Sequence, residues 1–168
     1  MPCNETTSQL LDTNAYNIET LEDEIRADQL CTELLKRFCH ELIDNDAADP
    51  EEASRLARGA AYFLCEFVIP QCRKNIFRID PRTVRQFAGN WYIVNNLEPN
   101  LPELTELLTG VMGFYYYCEQ IGKIDRATRD EISAQCRELD FYQQRIESFL
   151  DLVGDGFFAW NDACPPTD

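Results

Sequence analysis

Imidazole chemistry in this chain rests on one residue, because His40 is its only histidine. Helical spacing places His40 opposite the apolar stripe of its helix, on the side that carries Lys36 and Glu33. A general acid or base needs a shielded position and a partner that orients it. We therefore predict that His40 is exposed and has no catalytic role.

Thiol and imidazole groups could also bind zinc, since Cys39 and His40 are adjacent and Cys65 and Cys72 follow. Adjacent residues point about 100° apart on an α-helix, so Cys39 and His40 face different directions. The eight cysteines contain no C-x-x-C pair and no recognised ligand spacing. We predict no metal site and no cofactor, and we interpret the cysteines as small reduced apolar side chains.

Acidic groups such as those in 22–24, 44–46 and Glu103 with Glu106 raise the question of two-carboxylate or di-metal chemistry. Helical di-iron sites use two Glu-x-x-His motifs, which one histidine cannot supply. The sequence also lacks a glycine-rich phosphate loop, G-x-S-x-G and H-E-x-x-H. The acids are most simply solvated helix faces and caps. The sequence leaves enzymatic activity undecided and favours a protein without it.

Charge is sorted along the chain. Residues 1–52 carry a net charge of −11, residues 53–85 carry +5 and residues 86–168 carry −9, which gives −15 over 168 residues. This acidity opposes approach to nucleic acids and to anionic membranes. Five cations of the middle region form what we call the basic strip: Arg73, Lys74, Arg78, Arg82 and Arg85.

The basic strip has two interpretations. Its cations could bind a phosphate or an acidic peptide, with Arg82 and Arg85 one helical turn apart. They could instead pair with the excess carboxylates of the acidic first helix and fix the segment between Pro70 and Asp80 against that helix. We favour internal pairing, because surface charges more often pair or face water than bind ligands.

Elements that would position these residues are helical, because apolar residues recur at helical spacing without strand-like alternation. The stripe from Cys31 to Ile43 is the clearest case. Helix starts are signalled where a capping residue precedes proline or acids. We predict an all-α fold, an irregular bundle of five or six helices. The predicted helices cover about 19–44, Asp49-Pro50 to Pro70, Asp80-Pro81 to Leu97, Asn100 to Gly122, and Asp125 to Gly154, the last as one helix or two.

Individual residues in these helices predict where the helices pack and which side chains are buried. Gly59 begins a run of small residues where another helix could approach closely, and Gly110 offers the same in a later helix. The helix around Trp91 is apolar on most sides and should be central. Leu150 and Val153 continue the apolar period of the last helical segment, so we expect them in the core.

The length predicts a single domain. We expect residues 1–18 to form a flexible N-terminal arm, residues 19–156 the helical domain and residues 157–168 an aromatic, proline-containing tail. Phe157, Phe158 and Trp160 could contact a partner, but docking of the tail onto its own domain is favoured, because buried aromatic rings stabilise strongly. The N-terminus lacks a signal-peptide pattern and no apolar run is long enough to span a membrane, so we predict a cytoplasmic protein without membrane contact.

Residues 83–139 contain a succession of short predicted helices. Three segments of this region resemble the SAM-like core-binding domain of tyrosine recombinases: Thr83-Val84-Arg85-Gln86-Phe87, residues 104–117 and Gly122-Lys123-Ile124-Asp125. Asn90-Trp91-Tyr92-Ile93 also resembles a segment of uncharacterised small helical proteins. The first resemblance implies DNA contact through basic helix faces, whereas residues 86–168 carry −9. It transfers no catalytic residue.

Three functions follow as hypotheses. The first is a non-enzymatic protein-interaction or regulatory module, with a protein partner or a second copy of the chain. The second is nucleic-acid association through the basic strip, or acidic mimicry of DNA. The third is a ligand binder or enzyme with a pocket between helices around Trp91, Tyr92 and Tyr115 to Tyr117.

Overall fold

A computed structural model describes residues 3–168, with side chains from residue 7 onward. Over these residues the chain forms eight α-helices and no strand, which confirms the all-α class and corrects the expected number of five or six. No described helix combines the length and apolar character needed to cross a membrane. The helices are α1 Cys3–Leu10, α2 Leu21–Asp44, α3 Pro50–Phe63, α4 Pro81–Gln86 with its continuation Tyr92–Val94, α5 Leu101–Gln120, α6 Arg126–Cys136, α7 Leu139–Leu150 and α8 Phe157–Ala163.

Helix starts follow the capping chemistry of the sequence. Thr20 caps α2 and forms a reciprocal capping box with Asp23. Asn100 accepts a hydrogen bond from the Glu103 amide at 2.9 Å at the start of α5. The predicted starts of α3 and α4 are confirmed by proline in their first turns, although the preceding aspartates make no side-chain cap.

Two π turns widen the central helices. Leu64–Val68 continues α3, and Phe87–Trp91 joins the two parts of α4. Aromatic rings pack between these turns, with Phe67 centred 5.6 Å from Phe87 and 5.5 Å from Trp91. The turns thus meet through large side chains in the core, and the predicted central position of α4 is confirmed by the burial of Phe87, Ala88 and Tyr92.

The closest helix crossing joins α3 and α5. A Cβ added to Gly59 would lie 2.9 Å from the Leu107 carbonyl oxygen, and one added to Gly110 would collide with backbone atoms of Leu56 and Ala60. The close approach predicted at both glycines is therefore confirmed. Because the two backbones touch here, α3 and α5 form a fixed frame for the other helices.

The expected flexible arm over residues 1–18 differs from the structure wherever it is described; Met1 and Pro2 lie outside the described residues. Tyr16 is fully buried, and its ring packs edge-on against Phe77 at 4.9 Å. The Asn75 side-chain amide donates to the Thr13 carbonyl at 2.7 Å. Leu10 and Tyr16 are too few to produce a helical period, which is why the sequence suggested a loose segment.

The last long helical segment is two helices, α6 and α7, with a break at Arg137 and Glu138. Helix α7 ends at Leu150, so Val153 lies beyond it. The buried side of α7 is formed by Tyr142, Arg145 and Ile146. The expectation that Leu150 and Val153 lie in the core is wrong, because they are 61% and 85% exposed.

Candidate interaction surface

The first part of the basic strip is held by the N-terminal half of the chain. Arg73 forms an ion pair with Glu24 of α2 at 2.8 Å. Arg78 donates to the Asn14 side-chain oxygen at 2.6 Å and to that of Asn17 at 3.3 Å. These contacts connect the segment before α4 to the residues on both sides of the α2 start.

The second part is held by the C-terminal end. Lys74 and Arg82 each contact the Asp168 carboxylate at 3.2 Å. Hydrogen bonds from Lys74 and Gln86 lower the pKa of Asp168. The Arg85 guanidinium lies 3.8 Å from the centre of the Phe141 ring.

All five cations of the basic strip therefore have partners within the chain. Internal pairing was the favoured interpretation, but only Arg73 pairs with an acid of α2, because Asp168 attracts Lys74 and Arg82. Arg82 stays largely exposed, so its pair is solvated and contributes little. Arg78 and Arg85 contact neutral groups, so the described contacts hold these two side chains without a carboxylate partner.

Trp160 anchors the tail to the domain and is only 6% exposed. The Arg145 guanidinium lies 3.7 Å from the centre of its ring and donates to the Trp160 carbonyl at 2.8 Å. The indole N–H donates to the Arg145 carbonyl at 3.2 Å. Burial lowers the pKa of Arg145, and its Nη2 atom has no hydrogen-bond partner among the described residues. Trp160 is thus part of the fold and is not available as a contact residue.

Phe157 and Phe158 are exposed, in contrast to Trp160. Phe158 is 73% exposed, while Phe157 stacks on Trp160 with ring centres 6.0 Å apart. Nine large apolar side chains are exposed among the described residues, and four of them fall within 150–158. We call these four the apolar patch: Leu150, Val153, Phe157 and Phe158.

The sequence analysis identified only the two phenylalanines of the apolar patch. Leu150 and Val153 were missed because α7 ends at Leu150, so the helical period that the sequence continues to Val153 stops there.

Charge along the segment that carries the apolar patch has one sign. Residues 146–168 contain five acids and no lysine, arginine or histidine. All five are exposed; Asp168 forms ion pairs with Lys74 and Arg82, which leaves Glu147, Asp151, Asp155 and Asp162. The nearest arginine in sequence, Arg145, is buried beneath Trp160. The surface thus combines apolar side chains with uncompensated negative charge.

The region expected to line a ligand pocket is partly core and partly open, because Tyr116 and Tyr117 line a groove of about 260 Å³. Tyr92 and Tyr115 are fully buried, and the Tyr115 hydroxyl donates to the Ile76 carbonyl at 2.7 Å. Burial raises the pKa of Tyr115. An open groove of about 460 Å³ lies elsewhere, between α2 and α3, with Cys39 and Cys65 in its lining.

His40 is exposed, as predicted. Among the residues with described positions, no group of three histidine, cysteine or acidic side chains is arranged to hold a metal ion. The seven cysteines whose side chains are described are free thiols. Cys3 lies outside this set.

Comparison with known proteins gives no match to a protein-family model, a curated protein or a solved structure. The resemblance of residues 83–139 to SAM-like core-binding domains stays a prediction. Functional inference therefore depends on the surface of the chain itself.

Proposed function

We propose that this chain is a non-enzymatic, cytoplasmic protein-interaction module that binds its partner through the apolar patch. One observation carries the proposal: four large apolar side chains are exposed together within nine residues. Contiguous exposed apolar groups characterise interaction surfaces, whereas single ones are common on any protein. The other five exposed apolar side chains are spread over residues 21–116.

The patch has the rigidity expected of a binding surface. Phe157 stacks on Trp160, and Phe158 packs edge-on against Phe157 with ring centres 6.2 Å apart. Trp160 is itself fixed by hydrogen bonds and by the Arg145 guanidinium. Aromatic rings that are already held in place lose little conformational entropy on binding.

The partner we propose is a protein segment that presents apolar side chains flanked by lysine or arginine. Exposed acids flank the apolar patch in sequence, so complementary positive charge would increase the association rate and favour this partner over acidic ones. The same charge argues against a second copy of the chain as occupant. Two acid-framed patches brought face to face would repel each other.

Capture from a lysate of the source organism, at low salt and with nuclease, tests the proposal. The bait pair is the wild-type chain and the double variant Val153→Ser/Phe158→Ser. We expect the wild type to retain a stoichiometric protein that elutes as salt increases, because charge attraction is screened. The double variant should lose it, since the apolar contact area is removed.

A matched control removes two exposed apolar side chains outside the patch, in Leu21→Ser/Leu97→Ser. This variant should retain the captured protein. Equal capture by all three chains, or no salt-sensitive partner for the wild type, would contradict the proposal. Sedimentation of the wild type alone separates the alternatives, because a dimer that Val153→Ser/Phe158→Ser dissociates would identify a second copy as the occupant.

A further inference from the structure

Two cysteines meet where α2 packs against the end of α3. The Cys31 and Cys65 sulfur atoms lie 3.9 Å apart. Cys31 belongs to the buried stripe of α2, and Cys65 lies in the π turn that continues α3. The residues are distant in sequence but opposite one another in the helix pair. Their contact makes this a dithiol pair.

The two thiols differ in access. Cys31 is fully buried, whereas Cys65 is partly exposed and lines the groove of about 460 Å³ between α2 and α3. A small reagent entering this groove meets Cys65 first. Cys31 can react only through Cys65 or after local opening of the helix pair.

The thiols also differ in acidity, and the more accessible thiol, Cys65, is the more acidic one. The hydrogen bond with Cys31 lowers the pKa of Cys65. The hydrogen bond with Cys65 and burial together raise the pKa of Cys31. The accessible thiol is therefore the one that ionises more readily, and the thiolate is the reactive form of cysteine.

Geometry allows a bond between the two sulfur atoms. A disulfide bond is about 2 Å long, so the sulfur atoms must approach by about 2 Å from their present contact. At this separation no other atom fits between the two sulfur atoms. Cys65 also lies in a π turn, a helical irregularity that is common at functional sites.

We propose that Cys31 and Cys65 form a redox-active pair that hydrogen peroxide oxidises to an intramolecular disulfide. The Cys65 thiolate attacks one peroxide oxygen, so that an S–O bond forms, the O–O bond breaks and the departing hydroxide takes up a proton as water. Cys65 is then a sulfenic acid. The Cys31 sulfur attacks the Cys65 sulfur, the S–O bond breaks, and the hydroxide leaves with the Cys31 proton as a second water. Both sulfurs are oxidised and the peroxide is reduced.

The bridge would tie α2 to the end of α3 and would be reversed by a reducing dithiol. Transient disulfides of this kind in the cytoplasm are typical of redox sensing. This site is independent of the proposed partner surface, because Cys31 and Cys65 lie outside the apolar patch. Failure of one proposal leaves the other unaffected.

The test treats the reduced full chain with equimolar hydrogen peroxide and then blocks the remaining thiols. We expect the intact mass measured before blocking to fall by two hydrogen atoms, and peptide mapping after blocking to find residues 31 and 65 joined until dithiothreitol is added. This measurement needs no substitution, so it does not depend on how variants fold. Oxidation of Cys39 or Cys72 with Cys31 and Cys65 left reduced would overturn the proposal.

Three variants assign the roles. Cys31→Ala should leave a sulfenic acid on Cys65 that a 1,3-dione probe labels, because the resolving thiol is missing. Cys65→Ser should give neither label nor bridge at Cys31. Cys39→Ser is the matched control, since Cys39 lines the same groove, and it should form the bridge as the wild type does. A Cys31→Ala chain that retains its helical circular dichroism but shows no label at Cys65 would contradict Cys65 as the attacking thiol.

Discussion

The basic strip and the phenylalanines of the apolar patch were both candidate contact residues in the sequence, and the two regions differ in how the rest of the chain contacts them. The strip is held by residues from both ends of the described chain, including Glu24 and Asp168. The patch remains exposed, although its phenylalanines are close in sequence to Trp160, which is buried. Charged side chains find partners anywhere on an acidic protein, so sorted charge is a weak guide to function. Exposed apolar clusters lack such partners and are a stronger guide.

The largest expected effect separates the anchor of the tail from the patch beside it. Trp160→Ala should lower the free energy of unfolding by about 3–5 kcal/mol, because it removes a buried ring and the contacts of the Arg145 guanidinium. Phe158→Ala is the matched control and should change it by less than about 0.5 kcal/mol. Urea unfolding followed by circular dichroism measures both. Similar losses for the two variants would mean that the tail does not divide into anchor and surface.

The next effect tests how the basic strip is held by the N-terminal residues. Asn75 is buried and bonds to the Thr13 carbonyl, the Asn17 side chain and the Phe77 amide. Asn75→Ala should cost about 1–3 kcal/mol, since buried polar groups are left without partners. Chemical denaturation measures this loss.

Arg78→Ala provides the comparison for Asn75→Ala, because Arg78 also bonds to Asn17 but is exposed. It should cost less than about 1 kcal/mol. If Asn75→Ala were as mild as Arg78→Ala, the residues before α2 would not hold the strip in solution.

A smaller, pH-dependent effect tests the C-terminal contacts of the strip. Hydrogen bonds from Lys74 and Gln86 lower the pKa of Asp168 below 3.8. Its stabilising contribution is therefore present above pH 3.8 and is lost as the pH falls through the lower folded-state pKa. The melting temperature of the wild type should exceed that of Asp168→Asn at pH 7, and the difference should disappear in strong acid. A difference that does not depend on pH would exclude the ion pairs as its cause.

The smallest effect concerns the stability of the patch. Val153→Ser should change the free energy of unfolding by less than about 0.5 kcal/mol, because Val153 is 85% exposed. Thermal unfolding monitored by circular dichroism checks this. A loss comparable to that of Asn75→Ala would show that the patch is packed in solution, which would remove the basis of the proposed partner surface.

Sequence patterns predicted the helices that have long stripes and start signals. The stripe from Cys31 onward identified α2, and Pro50 and Pro81 marked the starts of α3 and α4. The terminal helices α1 and α8 were not predicted, because each is a few turns long or shorter and is stabilised by tertiary contacts. The π turns depend on aromatic packing between distant residues, for which no local pattern exists.

The candidate sites were predictable to different degrees. Phe158 was identified because aromatic residues after a glycine break are conspicuous, whereas Val153 was assigned to the core by a period that the structure interrupts. The contact of Cys31 with Cys65 had an unused signal. Both residues lie 17 positions from residue 48, in the connection between α2 and α3. Antiparallel helices place such equidistant residues opposite one another.

The position of Asp168 also sets an order of events during synthesis. Lys74 and Asp168 are separated by 94 residues and bond only when both exist. At about 5–20 residues per second, Lys74 is made about 5–20 s before its acidic partner. On the ribosome, Lys74 and Arg82 lack this carboxylate until Asp168 is made, so the surface around them is more positive in the nascent chain than in the folded chain.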